Sequence, residues 1–289
     1  MRRWLIVALP TLVVILGMGL WQLRPAGAGR QAVPADGPDA SAHPSASPSA
    51  SSRPAGVTTA WRLSFDADFS GSRLNTSVWA TCYPWMDVAS GCTNFGNSDE
   101  LEWYLPSQDM VSGGVLHLVA ERTPTLGQTH EGAPKEYYCR SGMVTTYPNF
   151  RFEYGYLQVV ARIPLATGLW PALWLAASNQ QWPPEIDILE HWGTNTHTAG
   201  VYFHPVGAAE LAVHPATANL SVGWHTFGLY WTPSKLAWFI DGREVMSADQ
   251  QLLHQSMYFI ANLADYRLPQ SGTGCVGTLL IRSVKVWQP

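Results

Sequence analysis

Ala237-Trp238-Phe239-Ile240-Asp241-Gly242-Arg243-Glu244-Val245-Met246 sets two apolar-rich runs on either side of Asp-Gly. That dipeptide tolerates the positive φ angles that a two-residue type I′ turn demands at both central positions, so the stretch reads as a β-hairpin. Outward from it, Gly114 to Ala120, Gly155 to Ile163, Trp224 to Trp231 and Leu279 to Trp287 read as further strands, bounded by Gly, Pro, Asn and Asp. A sustained 3.6-residue periodicity is almost absent from residue 61 onward. Many short strands without intervening helices predict an all-β, two-sheet antiparallel sandwich of the jelly-roll type. No second domain boundary and no internal repeat is visible between residues 60 and 289.

Of the 289 residues 46% are hydrophobic, 12% aromatic and 13% charged, against roughly 25% charged in an average soluble domain. A formal net charge of −4 leaves no dense basic face, so a nucleic-acid partner is not expected. The 14 Trp supply flat apolar faces with a polar edge, suited to stacking on sugars.

Arg2 and Arg3, the apolar run from Trp4 to Trp21 and Ala26-Gly27-Ala28 read as an export signal over residues 1–28. The run is long enough that an uncleaved membrane anchor is the competing reading, and in both readings the rest of the chain lies outside the cytoplasm. Residues 29–59 are Ala-, Pro- and Ser-rich and read as a disordered linker. The domain of residues 60–289 is expected to be extracellular, secreted or tethered to the outer face of the membrane, and monomeric. Four cysteines fit an oxidising compartment. Cys82 with Cys92 is the natural local loop, which leaves Cys139 for Cys275.

Ionisable chemistry concentrates in Glu185-Ile186-Asp187-Ile188-Leu189-Glu190. On a strand Glu185 and Asp187 share a face and Glu190 points away. One extra unpaired residue, a β-bulge near Ile188 or Leu189, would return Glu190 to the face of the other two. Carboxyls so spaced fall near the separation of about 5 to 5.5 Å used by retaining glycosidases. Three acids on one face cannot all ionise at ordinary cost, so one is expected to stay protonated near neutral pH. A solvated polar face and a calcium site are the competing readings. Trp170 and Trp174, four apart, would share one strand face, as core or as platforms for a pyranose chain. Trp182, Trp192 and Trp231 are read as core or rim.

The Glu185 to Glu190 segment resembles the E-x-D-x-x-E signature of glycoside hydrolase family 16. The flanking stretches NSDELEWY (97–104), RSGMVT (140–145), GLWPALWL (168–175), Trp231-Thr232-Pro233 with Asp241-Gly242, and IANLA (260–264) follow in the family's order, so the resemblance spans nearly all of residues 61–289. It implies a concanavalin A-like jelly roll with a concave cleft acting on β-linked polysaccharide with retention, and no organic cofactor. Carried over by position, Glu185 is the nucleophile, Glu190 the acid and base, and Asp187 the residue between that tunes the nucleophile. Asn97, Arg140, Trp170 and Trp174 are implied at the donor sugars, with His204 and Asn262 as further candidates. The six-residue signature is similar to the laminarinase-like, endo-β-1,3-glucanase branch. Two departures stand out. Asp265-Tyr266-Arg267-Leu268-Pro269 replaces a Gly-Gly loop and a Trp that often follow N-L-A. Arg282 replaces an Asp that helps bind calcium, which puts a structural calcium near Asp66 and Asp68 in doubt.

Overall fold

The computed structural model describes residues 61–86, 90–94, 100–192, 195–249, 253–266 and 274–289. The readings made for residues 1–59, and Asn97 with them, lie outside the described residues.

The described strands, numbered along the chain, form two large antiparallel sheets, as the short alternating runs predict. The eight-stranded sheet runs β16 (Arg243–Asp249), β15 (Lys235–Ile240), β14 (His225–Trp231), β9 (Gly155–Arg162), β18 (Gly277–Gln288), β4 (Val115–Ala120), β3 (Asp109–Ser112), with β1 (Arg62–Ala67) also paired to β18. The six-stranded sheet runs β13 (Leu211–Val213), β12 (Gly200–His204), β11 (Glu185–Glu190), β10 (Leu169–Ala177), β17 (Met257–Asp265), β8 (Met143–Thr145). Two short ladders accompany them: β2 (Glu102–Tyr104) beside β7 (Cys139–Ser141), and the hairpin of β5 (Thr125–Gln128) and β6 (Pro134–Tyr137). The hairpin of β15 and β16 turns at Asp241 and Gly242, whose φ values of 50° and 77° are those a type I′ turn requires.

Alternation decides which sheet face meets the core. On β10, Leu169, Leu173 and Leu175 enter the central apolar cluster, whereas Ala172, Trp174 and Ala176 belong to a second cluster rich in aromatic rings. Met257, Phe259, Ala261 and Leu263 of β17 obey the same rule, as do Val201 and Phe203 of β12. Leu157 and Val159 of β9, Phe227, Leu229 and Trp231 of β14, and Leu236 and Trp238 of β15 face them from the eight-stranded sheet. Burying so many aliphatic and aromatic side chains between two sheets is the dominant stabilising contribution. Trp231 is therefore core. The outer face of the six-stranded sheet is left for function.

Cys139 and Cys275 form a disulfide with Cα atoms 6.0 Å apart. Cys82 and Cys92 do not pair and remain thiols, contrary to the local-loop expectation. Cys92 is held by backbone bonds in both directions to Tyr104, and its thiol lies in hydrogen-bond reach of Cys82, with Met143 Sδ at 3.8 Å and the Thr81 carbonyl at 3.9 Å. On the eight-stranded sheet Lys285 Nζ pairs with Asp66 at 3.2 Å, Asp68 accepts the Ser70 N–H at 3.0 Å, and the Arg282 guanidinium lies 4.0 Å from the Trp224 ring centroid.

Candidate active site

β11 pairs with β10 through Leu189 and Leu173, then Asp187 and Trp174, and with β12 through Glu190 and Gly200, then Asp187 and Tyr202. Ile188 is therefore the extra residue. It and Leu189 both enter the core, and Glu190 returns to the face of Glu185 and Asp187. The Asp187 carbonyl lies at the edge of the bulge. The indole N–H of Trp238, reaching across from β15 of the other sheet, donates to it at 2.9 Å, so the distortion is fastened to the core.

The three carboxyls line a narrow recess floored by Trp170, Trp174 and Asn262 and walled by Tyr83, Asn94 and Glu100. Next to it opens a cavity of about 690 Å³ lined by Trp85, Trp174, Trp182, Tyr258, Gln180 and Gln181, among others, with Glu185 at its inner end. Trp170 and Trp174 do share the outer face of β10. Trp170 Nε1 donates to Glu190 Oε1 at 2.9 Å, and Trp174 Nε1 donates to Asn262 Oδ1 at 2.8 Å. Asn262 in turn donates to the Tyr104 hydroxyl at 3.1 Å, so its amide braces Trp174 from below. Beside Glu190, Trp170 stacks on Trp192 with centroids 3.9 Å apart, and Tyr266 packs edge-on against both rings. Trp192, 39% exposed, and Trp182, 69% exposed, are rim.

Electrostatics set the carboxyls apart from ordinary surface acids. Burial pushes Glu185 well above the usual carboxylate range, Asp187's charge adds to it, and His204 opposes. Burial likewise raises Asp187, with the charges of Glu190 and Glu210 in the same direction. Glu190 is raised to about 7, chiefly by burial, against the opposing hydrogen bonds of Trp170 and Trp192. A group poised there can give and take a proton at neutral pH, while its neighbour on the same face can act as a nucleophile once ionised.

Two of the residues implied at the sugars are engaged by other side chains of the protein. Arg140 does not line the recess or the adjacent cavity: an antiparallel bridge sets Glu121 opposite Arg140, and the Nε and one terminal nitrogen of Arg140 both donate to Glu121 Oε2. His204 serves the acids, its Nε2 lying 3.2 Å from Asp187 Oδ2 and 3.5 Å from Glu185 Oε1. Residues that sequence reasoning passed over are Tyr83, Trp85, Glu100, Glu210 and Tyr266. Glu100 lies within the quoted NSDELEWY stretch. It is 5% exposed and is pushed up by burial and by its neighbour Glu102.

The pattern described as "Glycosyl hydrolases family 16" matches residues 98–263. Over 216 residues the chain is 33% identical to the endo-1,3-1,4-beta-glycanase EglC of Rhizobium meliloti, a match covering 70% of this chain and 45% of that protein. It is 30% identical over 200 residues to a beta-glucanase of Rhodothermus marinus, covering 63% of each. The chain thus spans about half the length of the rhizobial relative. The catalytic domain of an endo-1,3-beta-glucanase (laminarinase) from Thermotoga petrophila superimposes with a TM-score of 0.68 at 23% identity, over 79% of this chain and 98% of that one, which shows the jelly-roll fold. With more than half of its residues matched to one family, the chain belongs to the glycosyl hydrolases of family 16.

Proposed function

We propose that the domain is a retaining, endo-acting hydrolase of β-linked polysaccharide, with β-1,3-glucan as its substrate. The observation that carries this reading is the bulge at Ile188, which gathers Glu185, Asp187 and Glu190 on one face of β11 beside a cleft of aromatic rings. Glu185 attacks the anomeric carbon. The bond from that carbon to the leaving sugar breaks as Glu190 gives its proton to the departing glycosidic oxygen, and the product is a glycosyl ester of Glu185. Water then loses a proton to Glu190 while its oxygen displaces Glu185, restoring both groups and the β configuration. Asp187 tunes the charge of Glu185 between the two steps. Tryptophan faces along the cleft stack on the sugar rings.

Relatives named as glucan endo-1,3-beta-glucosidases, from Cryptopygus antarcticus and Niallia circulans, support the linkage. The names of the two rhizobial relatives, both endo-1,3-1,4-beta-glycanases, favour a second reading in which a mixed-linkage glucan is cut. In both readings the domain acts outside the cytoplasm as a monomer, without an organic cofactor. A beta-1,3-glucan-binding protein of Penaeus monodon is also similar, over 35% of this chain, but a pure binder has no use for three acids held together at this burial.

Product analysis on laminarin, lichenan, xylan and agarose, with the anomer followed by NMR, tests the proposal. Laminarin oligosaccharides released first as the β-anomer are expected. Glu185→Gln should lower kcat at least about a thousandfold while glycan affinity stays within a few fold. Equal loss of turnover and affinity in that variant would overturn the nucleophile assignment. Binding without products from the parent protein would favour the recognition reading.

A further inference from the structure

His204 sits on β12, the strand beside the carboxylate strand, and both of its ring nitrogens are engaged. Nε2 faces Asp187 Oδ2 and Glu185 Oε1, while Nδ1 lies 3.2 Å from Glu210 Oε2. Glu210 is on the exposed stretch just before β13, its side chain 49% exposed against 20% for His204 and 4% for Asp187. A chain of ionisable groups therefore runs from the solvent-facing edge of the sheet to the buried acids. The remaining groups near the ring are Trp182, at 5.8 Å between centroids, and Tyr202, stacked at 6.3 Å.

An imidazole is aimed by the hydrogen bond its other nitrogen makes. Of the groups around this ring, Glu210 is the one that engages Nδ1 from outside the site. We propose that Glu210 is a positioning residue: by accepting the Nδ1 proton of His204 it fixes the ring with Nε2 directed at Asp187 and Glu185, so that imidazole and acids hold one proton in common. While Glu185 is a free carboxylate, that proton can face it. Once Glu185 carries the glycosyl group, its negative charge is gone and the proton rests between His204 Nε2 and Asp187 Oδ2. No proton enters or leaves the trio, and Glu190 alone exchanges with leaving group and water.

The proposal rests on the hydrolase reading above, and two properties of Glu210 make it separable from a structural role. One is the acceptor oxygen for Nδ1. The other is its charge, which acts in the raising direction on both Asp187 and Glu190. Among the described residues the other ionisable groups facing Glu190 are Asp187, Glu185, His204 and Tyr202, with Glu100 and Tyr83 lining the same recess. Glu210→Ala removes acceptor and charge together, and Glu210→Gln removes the charge but keeps an acceptor oxygen.

Steady-state kinetics against pH on laminarin are the first measurement. In Glu210→Ala, kcat is expected to fall about tenfold or more with KM within twofold, and the alkaline limb of kcat/KM to move to lower pH. Glu210→Gln should recover most of the kcat lost in the alanine variant and keep the shifted limb. Profiles and kcat that superimpose on the parent in both variants would overturn the proposal, as would a loss confined to KM, which would make Glu210 a sugar contact. The second measurement needs no turnover: ¹⁵N NMR of the His204 ring is expected to show Nδ1 carrying the proton in the parent and an altered ring signal in Glu210→Ala. Identical ring signals overturn the inference even in an active enzyme. A parent that shows the Nδ1 proton and its loss in Glu210→Ala, but cuts no glycan, refutes the hydrolase reading while upholding the contact.

Discussion

Trp170 does two things at once: its ring lies against Trp192 and its N–H is spent on Glu190. That hydrogen bond favours the ionised carboxyl and so acts against burial, which raises Glu190. Trp170→Phe keeps a ring in the stack and deletes the donor. The acid form of Glu190 then persists to higher pH, and the alkaline limb of kcat/KM should move upward, the direction opposite to that expected of Glu210→Ala. Kinetics of the two variants on one substrate check the signs together. At this scale the sequence made the trio legible, because Glu185 and Asp187 alternate and one bulge suffices for Glu190. Trp170 and Trp174 were legible for the same reason of spacing. The pairing of Arg140 with Glu121 was not legible, because an isolated bridge brings the two together and no local pattern announces it. Glu100 and Glu210 come from segments far from β11 in the chain, and neither spacing nor composition distinguishes them from solvated surface acids.

The decisive element is the bulged strand. Deleting Ile188 would leave Glu185-Ile186-Asp187-Leu189-Glu190, in which plain alternation keeps the three carboxyls on the outer face and Leu189 in the core without any bulge. The expected outcome is reduced but measurable turnover together with a loss of about 2 to 5 kcal/mol, the scale of removing a buried aliphatic side chain. Activity assays and chemical denaturation of the deletion variant measure both. Turnover below detection in a folded variant would mean that the bulge sets the spacing of the carboxyls and not only their shared face. Trp238 fastens this distortion from the opposite sheet, and that tie was invisible in the sequence, where Trp238 is simply an apolar position in a hairpin. The hairpin itself was legible down to its turn residues, because Asp-Gly admits few alternatives. The free state of Cys82 and Cys92 was not, because a ten-residue spacing brings the two thiols into hydrogen-bond reach of each other and carries no information on whether they are oxidised.

Across the whole molecule, the Cys139–Cys275 link closes a loop of 136 residues and joins β7 to the segment entering β18. Constraining so long a loop is worth up to about 5 kcal/mol in the chain-entropy account. Reductant should therefore lower the melting temperature by on the order of 10 °C, and a Cys139→Ala, Cys275→Ala double variant should melt at the reduced value and ignore reductant. Scanning calorimetry with and without reductant decides it, and a melting temperature indifferent to reductant in the parent would assign the link no stabilising role. β18 itself has a larger consequence. It pairs with β9 along one edge and with β4 and β1 in succession along the other, yet it is made from residues 277–288, after every other described strand in order of synthesis. A nascent chain therefore holds β16-β15-β14-β9, β4-β3 and the lone β1 as separate pieces of this sheet, with open edges, until these residues arrive. Any product that stops short of residue 277 would present those edges to its neighbours, and its fate would be pairing with another chain rather than a smaller folded domain.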